Sequence, residues 1–267
     1  MATAAPVYEE RRMSIGRTFQ RAFSALSLNP LVVLGLALIV GALPGLLMSY
    51  LFVQFGLTSP GALQAGALSF RAFMGATFFS TVIAMVIGAL VQGALTRAVV
   101  SANEGRRATF GECLSTGFQV FLPLIGVSIL FSIGVGIGFV LLFIPGIILL
   151  LMWAVAIPAL VTERTGVFGA FSRSAELTKG SRWKILGLFL VLGVIYWLLS
   201  IVLGLIGLKM YAPATSPTGL TIANIVGSMI LGTIFNVLWG TIQPSLYVEL
   251  RQAKEGESSE SLAQVFA

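Results

Sequence analysis

The sequence has no histidine, and its ten acidic residues are all glutamate. These absences exclude Ser-His-Asp catalysis, histidine-ligated metal sites and carboxylate–imidazole proton relays. The chain has one cysteine, Cys113, which excludes an intrachain disulfide and a paired-cysteine metal or redox site. Glu163 and Glu249 are the two carboxylates closest to the ends of predicted membrane spans, and the sequence gives neither of them a catalytic partner. We therefore expect a protein that is not an enzyme and that uses no metal or other cofactor.

Charged residues are also scarce. They make up 10% of the chain, whereas hydrophobic residues make up 57% and the mean hydropathy is +0.98. About a quarter of the residues of a soluble domain are charged, so this composition is typical of an integral membrane protein. The long apolar runs predict membrane-crossing helices and an all-α fold.

A helix needs about 20 mostly apolar residues to cross a bilayer. Six segments meet this length: 30–55, 72–100, 120–143, 146–163, 183–208 and 219–248. The third and fourth spans meet at Phe143-Ile144-Pro145-Gly146 without a polar loop. The proline and glycine predict a turn there, and a single kinked or re-entrant element is the alternative. Three further prolines predict kinks within spans: Pro44, Pro158 and Pro244.

Three short amphipathic helices are predicted at 14–28, 109–119 and 167–180. The third lies within Gly166–Gly187, the most basic stretch of the chain, where Phe171 falls on one side and Arg173 and Lys179 fall on the other. A helix of this kind beside a membrane span is expected to lie in the headgroup plane. Each short helix precedes two spans, so the predicted fold is three transmembrane hairpins, each preceded by a cytoplasmic in-plane helix.

Positive charge is concentrated on one side of the predicted spans. Every Lys and Arg except Arg71 and Lys209 lies on the side that holds both termini and the three short helices. Because Lys and Arg are enriched in cytoplasmic loops, this side and both termini are predicted to be cytoplasmic. Residues 1–13 and 253–267 are polar and predict flexible ends, which leaves 14–252 as the membrane domain.

The short helices and the spans that follow them indicate an internal repeat. A phenylalanine in each short helix stands sixteen residues before a glycine in the next span; the pairs are Phe19 and Gly35, Phe110 and Gly126, and Phe171 and Gly187. The ends of the even spans also correspond, as Gln92-Gly-Ala-Leu95, Ile157-Pro-Ala-Leu160 and Gln243-Pro-Ser-Leu246. Chance similarity among basic inner loops is the alternative explanation.

The densest basic cluster surrounds the third short helix and includes one aromatic residue suited to the membrane interface; it consists of Arg164, Arg173, Lys179, Arg182, Trp183 and Lys184. Each positive charge near the surface contributes about 1 kcal/mol to the binding of anionic lipid. The cluster therefore predicts contact with anionic phospholipids of the inner leaflet, and ordinary anchoring of the topology is the alternative. The net charge of +6 does not favour nucleic acid as a partner, because the basic residues flank apolar spans.

Four uncharged polar residues lie deep within predicted spans: Gln92, Asn224, Asn236 and Gln243. They would line a cavity for a neutral solute or, as the favoured interpretation, would hold helices together. No Lys, Arg or Glu lies in the middle of a span, which disfavours proton-coupled transport. Small-residue stripes, such as Gly134-x-x-x-Gly138, predict contact faces within the bundle or between the protomers of a homo-oligomer or membrane complex.

The segment SRSAELTKGSRWKILGLFLV, preceded by IPGIILLLMWAVAIPALV, resembles a bacterial family. It is similar to the membrane domain attached to some glycerophosphoryl diester phosphodiesterases and to related stand-alone six-span proteins, over most of residues 14–252. In the fused proteins a separate soluble barrel performs the hydrolysis with acidic residues and histidines that bind metal. This chain has no histidine and no aspartate, so the resemblance does not carry that activity over. It implies a six-helix fold and a location beside phospholipid metabolism or membrane upkeep. We expect the protein to lie in a bacterial inner (plasma) membrane.

The expected function is that of a non-enzymatic inner-membrane protein that binds or organises lipid, or serves as an accessory or scaffold subunit in the membrane. The alternative is a transporter or channel for a neutral or lipidic solute, lined by the four polar residues named above. A cavity that encloses those residues would favour the alternative, whereas their burial in helix contacts would favour the first function.

Overall fold

The structure is a computed structural model that describes residues 13–54, 70–211 and 217–265. Among these residues, helices are the regular secondary structure. They are α1 (Ile15–Leu28), α2 (the consecutive segments Pro30–Gly35, Leu36–Ala42 and Leu43–Gln54), α3 (Phe70–Asn103), α4 (Phe110–Gln119), α5 (Phe121–Leu141), α6 (Phe143–Met152), α7 (Ala156–Glu163), α8 (Gly166–Thr178), α9 (Arg182–Tyr211) and α10 (Pro217–Val265).

Within the described residues, five helical stretches are long and apolar enough to cross a membrane: Pro30–Met48, Met74–Asn103, Phe121–Leu141, Phe143–Glu163 and Arg182–Leu203. The sixth predicted span, 219–248, falls within α10, and many of its side chains lie outside those that the structure describes. The fold is therefore all-α, with five helical stretches able to span a bilayer.

The prolines that were predicted to kink spans affect their helices in different ways. In α2 the middle segment, Leu36–Ala42, is π-helical and ends two residues before Pro44. Proline has no N–H group to complete the regular i→i−4 bonding, and wider turns of this kind absorb the disruption. Pro244 instead lies inside α10, which runs without interruption from Pro217 to Val265.

The turn between the third and fourth predicted spans lies earlier than predicted. Helix α5 ends at Leu141, Leu142 is extended (φ −161°, ψ 144°), and α6 begins at Phe143. Pro145 is in the first turn of α6, where its fixed φ and missing N–H are tolerated, so it starts this helix rather than forming the turn. The contacts across the turn run in antiparallel order, since Gly138 lies against Gly146 and Phe131 lies against Trp153.

The fourth predicted span, 146–163, is broken between Met152 and Ala156 rather than kinked at Pro158. The break frees backbone groups, and buried side chains of other helices satisfy them. Ser174 donates to the Met152 carbonyl at 2.9 Å and accepts the Val155 N–H at 3.2 Å. Irregular backbone inside a membrane protein is stable where neighbouring elements supply such bonds.

The ends of the membrane domain also differ from the predicted flexible segments. Met13 is buried (2% exposed) and packs into the core formed with α8, α9 and α10. Helix α10 continues as far as Val265, through most of the predicted tail. Arg251 pairs with Glu255 at 2.6 Å, one helical turn further on, which supports helix beyond residue 252. Residues 1–12 and 266–267 lie outside the described residues.

The three short helices α1, α4 and α8, here called the collar, pack against the ends of α3, α7 and α10. Helix α1 lies between α10 and α3, and α8 lies between α7 and α10. Helix α4 lies on α3 and is joined to the end of α7 by a hydrogen bond from Arg164 to Gln119 at 2.9 Å. Each collar helix therefore bridges two other helices.

Positions equated by the predicted repeat make equivalent contacts. The residue three positions after each repeated phenylalanine is small and buried: Ala22, Cys113 and Ser174 are 4%, 0% and 0% exposed. A Cβ built on Gly126 would lie 3.1 Å from Val167 of α8, and one built on Gly187 would lie 3.4 Å from Ile15 of α1. Gly35 likewise faces Phe110 of α4 at 3.7 Å. The glycine of each unit thus approaches the short helix of the following unit, and the third unit returns to the first.

Candidate lipid and polar sites at the collar

Large apolar side chains are exposed at matched positions around the collar. Twelve residues after the repeated phenylalanines stand Leu31, Leu122 and Trp183, which are 86%, 77% and 85% exposed. Each lies in the first turn of a long helix that follows a short one. Further exposed phenylalanines lie on the collar helices themselves: Phe23, Phe118 and Phe168. An apolar belt of this kind, rimmed by cations, is what a membrane interface accepts.

The predicted basic cluster divides into outward-facing and inward-facing members. Arg164, Lys179 and Lys184 are exposed, and Lys184 donates to the Met13 carbonyl at 3.0 Å. Arg173 instead turns inward and is 20% exposed. Arg182 is partly buried, and its Nε atom has no hydrogen-bond partner among the described residues. Trp183 is exposed, whereas the guanidinium of Arg173 contacts other side chains of the protein.

Arg173 forms an ion-pair network with three glutamates. Its Nε contacts Glu163 at 3.0 Å, and its guanidinium also reaches Glu176 at 3.1 Å and Glu255. The Tyr247 hydroxyl donates to Glu163 at 2.7 Å. This network joins α7, α8 and α10. Sequence reasoning had placed Arg173 in the headgroup region, on the face opposite Phe171.

Glu249 forms a second network that the sequence analysis missed. Its carboxylate is 3% exposed and accepts from Arg17 at 2.7 Å, Arg21 at 3.1 Å and the backbone N–H of Ser14 at 3.2 Å. The predicted repeat contained the signal for both networks. Glu163 and Glu249 each stand three residues after the repeated leucine of an even span, so a partner for one implies a partner for the other.

Of the four polar residues predicted to line a cavity or to pack helices, Gln92 and Gln243 join helices, whereas Asn236 does not. Gln92 and Gln243 are buried and hydrogen-bonded to each other, and Gln243 also donates to the Ala154 carbonyl at 2.7 Å. Asn236 is exposed and donates to the Gly232 carbonyl of its own helix at 2.9 Å. The side chain of Asn224 lies outside those described.

The N-terminus of α4 is fixed by a capping box. The Thr109 hydroxyl accepts the Glu112 N–H at 3.3 Å, and Glu112 accepts the Thr109 N–H at 2.9 Å. The bond from the Thr109 N–H lowers the pKa of Glu112, because it stabilises the charged carboxylate. One residue further on, burial raises the pKa of the Cys113 thiol to about 11.

The described residues contain no cluster of side chains that could bind a metal ion. No group of three or more His, Cys, Asp or Glu side chains there is placed to hold an ion. The acidic side chains that do cluster are held by arginines, as Glu163 and Glu249 are. The collar is thus a surface of apolar anchors, free cations and internal ion pairs.

This combination of five apolar helical stretches with a collar of exposed apolar side chains and cations defines a helical membrane protein. Residues 13–250 match the family model described as a domain of unknown function, DUF7847, and the chain belongs to that family. No solved structure matches the chain.

Proposed function

We propose that this chain is a non-enzymatic membrane protein that binds and organises anionic phospholipid through its collar. In this proposal α10 supplies a sixth span, the six spans form three repeated hairpins, and the collar lies in the headgroup plane on the cytoplasmic side of a bacterial inner membrane. The position of most Lys and Arg on the collar side supports that orientation. A place beside phospholipid metabolism, which the resemblance to the phosphodiesterase membrane domains implies, belongs to the same proposal.

The observation that carries the proposal is the matched exposure of Leu31, Leu122 and Trp183 in a protein that also exposes the cations Arg164, Lys179 and Lys184. An exposed apolar residue at one helix end is ordinary, but three at the same register position form a belt. Lys179 and Arg164 are exposed on the same side, where each adds about 1 kcal/mol of attraction to an anionic surface. Insertion of apolar side chains and attraction of cations to anionic lipid together bind the membrane surface more strongly than either does alone.

Transport of a neutral solute is the less favoured function. Gln92 and Gln243 are used in bonding to each other and to Ala154, so their polar atoms already have partners. Asn236 is bonded within its own helix. A polar pathway needs groups that are available to the solute, and the bonds that Gln92 and Gln243 make to other helices leave these two side chains less available.

Fluorescence quenching by brominated phospholipids tests the proposal. The protein would be reconstituted in vesicles in which either phosphatidylglycerol or phosphatidylcholine carries the bromine, and the contribution of Trp183 would be taken as the difference from Trp183→Phe. We expect Trp183 to be quenched more strongly by brominated phosphatidylglycerol, because the cations around it enrich anionic lipid. The double variant Lys179→Glu and Lys184→Glu should remove this preference.

The double variant Arg106→Glu and Arg107→Glu is the matched control, since it makes the same charge change at two exposed arginines outside the basic cluster. Equal quenching by the two lipids in the unmodified protein would show that the collar does not select anionic phospholipid. Absence of any Trp183 quenching would show that the collar does not lie at the interface at all.

A further inference from the structure

Each collar helix packs against the last helix of the repeat unit before it: α4 against α3, α8 against α7 and α1 against α10. Two of these three junctions contain the same ion pair. At the α1–α10 junction Glu249 contacts Arg21 at 3.1 Å, and at the α8–α7 junction Glu163 contacts Arg173 at 3.0 Å. Arg21 and Arg173 each stand two residues after the repeated phenylalanine. The glutamates each stand three residues after the repeated leucine, so the two pairs are equivalent in the repeat.

The α4–α3 junction lacks this pair. The equivalent positions hold Ala98 on α3 and Glu112 on α4, which cannot form it. The positive charge stands instead on Arg97, which is partly buried and has no carboxylate within 4.0 Å among the described residues. Glu112 on α4 attracts Arg97 at longer range, and this attraction contributes to the lowered pKa of Glu112. A partly buried guanidinium without a contact ion pair is stabilised further by an anion that reaches it.

A cleft of about 450 Å³ opens at this junction, between α3, α4 and α7. Arg97 lines it from α3, and Arg164 lines it from the end of α7, where the backbone is left-handed (φ 52°). Four hydroxyl groups complete the polar lining: Thr96, Ser115, Thr116 and Thr162. The cleft beside Glu249 is smaller, at about 220 Å³, and that carboxylate already neutralises the two arginines there.

The two carboxylates that line the larger cleft are already engaged. Glu104 pairs with Arg106 at 2.6 Å, and Glu112 accepts the N–H of Thr109 at 2.9 Å. The four hydroxyls each donate to a backbone carbonyl of their own helix, at distances of 2.6–3.0 Å. The donors that remain free in the cleft are therefore N–H groups of the two guanidiniums, and arginine binds phosphate oxygens through such paired N–H groups.

We propose that the α3–α4–α7 cleft binds a phosphate group, held by Arg97 and Arg164 at the one junction where the repeat omits its internal ion pair. This deepens the proposed function and rests on it for the source of the phosphate, which is a phospholipid headgroup. The exposed Phe118 and Leu122, at the end of α4 and the start of α5, are placed to contact the chains of such a lipid. The volume of the cleft exceeds that of a phosphate alone and is in the range of small-molecule sites.

Native mass spectrometry of the full chain, delipidated in detergent, tests this site with two probes: phosphatidylglycerol and inorganic phosphate. We expect one tightly held phosphatidylglycerol, and we expect Arg97→Gln and Arg164→Gln each to weaken its binding about tenfold through loss of a charge-assisted hydrogen bond. Arg107→Gln, which removes an exposed arginine outside the cleft, should leave the affinity unchanged. Thermal unfolding of each variant shows that the fold is intact, and Arg164 provides a second test site because it lies at the surface.

The outcomes separate this site from the collar as a whole. If Arg97→Gln and Arg164→Gln, both folded, bind phosphatidylglycerol as the unmodified protein does, the cleft is not the site, while the collar proposal stands on its own quenching result. If inorganic phosphate binds in an Arg97-dependent manner and phosphatidylglycerol does not, the phosphate site is correct and its lipid source is wrong. If neither probe binds, the inference fails.

Discussion

Glu163 and Glu249 show how the chain can hold charge next to its apolar core. Each carboxylate accepts two or more hydrogen bonds, from Arg173 and Tyr247 in one case and from Arg17 and Arg21 in the other. A buried ion pair is tolerated when its hydrogen-bonding capacity is filled, and it fixes which elements meet. The two networks thereby tie the collar helices to the ends of α7 and α10.

Removal of one of these carboxylates should destabilise the protein. We expect Glu249→Gln to lower the free energy of unfolding by about 3 kcal/mol, because it leaves Arg21 near the core without its counter-ion. Thermal or denaturant unfolding in detergent, followed by circular dichroism, measures the change. Glu104→Gln is the control: Glu104 pairs with Arg106 at the surface, where such a pair contributes at most about 1 kcal/mol. Equal effects of the two substitutions would contradict the burial argument.

Cys113 should be chemically inert in the folded protein. Its side chain is buried (0% exposed), and burial raises the pKa of the thiol to about 11, so little thiolate forms near neutral pH. We expect a maleimide to label it slowly at pH 7.5 and quickly after denaturation in detergent. Fast labelling of the folded protein would show that α4 does not pack on α3 as described. Because Cys113 is the one cysteine of the chain, the labelling signal has a single source.

At the scale of elements, the break between α6 and α7 depends on polar side chains from other helices. Gln243 donates to the Ala154 carbonyl at 2.7 Å and accepts from Gln92, while Ser174 bonds on both sides of the break. These contacts explain why the fourth predicted span is not a straight helix. They also place Gln243 in a structural role.

Gln243→Leu should therefore destabilise the protein by about 2 kcal/mol, because it leaves the Ala154 carbonyl and the Gln92 amide without partners in a buried site. Asn236 lies on the same helix, is exposed, and bonds within that helix. We therefore expect Asn236→Leu to change the stability little. Unfolding midpoints of the two variants decide the matter. If Gln243→Leu unfolds like the unmodified protein, the hydrogen bonds at the break do not stabilise it.

The close approach of α5 and α6 gives a second test at this scale. A Cβ on Gly138 would lie 2.9 Å from the Cα atom of Gly146, whereas one on Gly136 would meet nothing within 4 Å. We expect Gly138→Ala to cost about 2 kcal/mol by overpacking against backbone. Gly136→Ala should be neutral or stabilising by up to about 1 kcal/mol, since alanine favours helix. Matching unfolding temperatures for the two variants would contradict the antiparallel packing across Leu142.

The bounds of the helices could be predicted from the sequence more completely than the contacts between them. The amphipathic periodicity of α1, α4 and α8 depends on local spacing, so the sequence predicts these helices within about two residues of their observed bounds. The turn at Leu142 was misplaced because Pro145 is compatible with a turn and with a first helical turn, and local sequence does not separate the two. The continuation of α10 beyond residue 252 was missed because it is supported by contacts with distant residues, including Arg173.

The candidate site depended on pairs that are far apart in the chain. Glu249 and Arg17 are separated by 232 positions, so spacing alone does not connect them. The repeat would have connected them, since it puts both buried glutamates at one register position and puts Arg21 and Arg173 at another. Applied in this way, it would also have marked Ala98 and Glu112 as the exception, with a cation, Arg97, beside the position that elsewhere holds the glutamate.

At the scale of the whole molecule, the collar helices and the ends of α3, α7 and α10 form one layer at one end of the helical bundle. Matched glycines and matched small residues pack this layer, and the positions that remain exposed are large and apolar. Contact of this layer with a phospholipid surface, as proposed above, would cover those apolar side chains.

An experimental density map of the protein in a nanodisc of phosphatidylglycerol and phosphatidylethanolamine would show whether the collar meets a phospholipid surface. We expect the collar to lie at the headgroup level, lipid chains to contact Leu31, Leu122 and Trp183, and phosphate density to lie between Arg97 and Arg164. A map in which the collar stands clear of the bilayer, or in which a second protein covers those three apolar residues, would contradict the proposal.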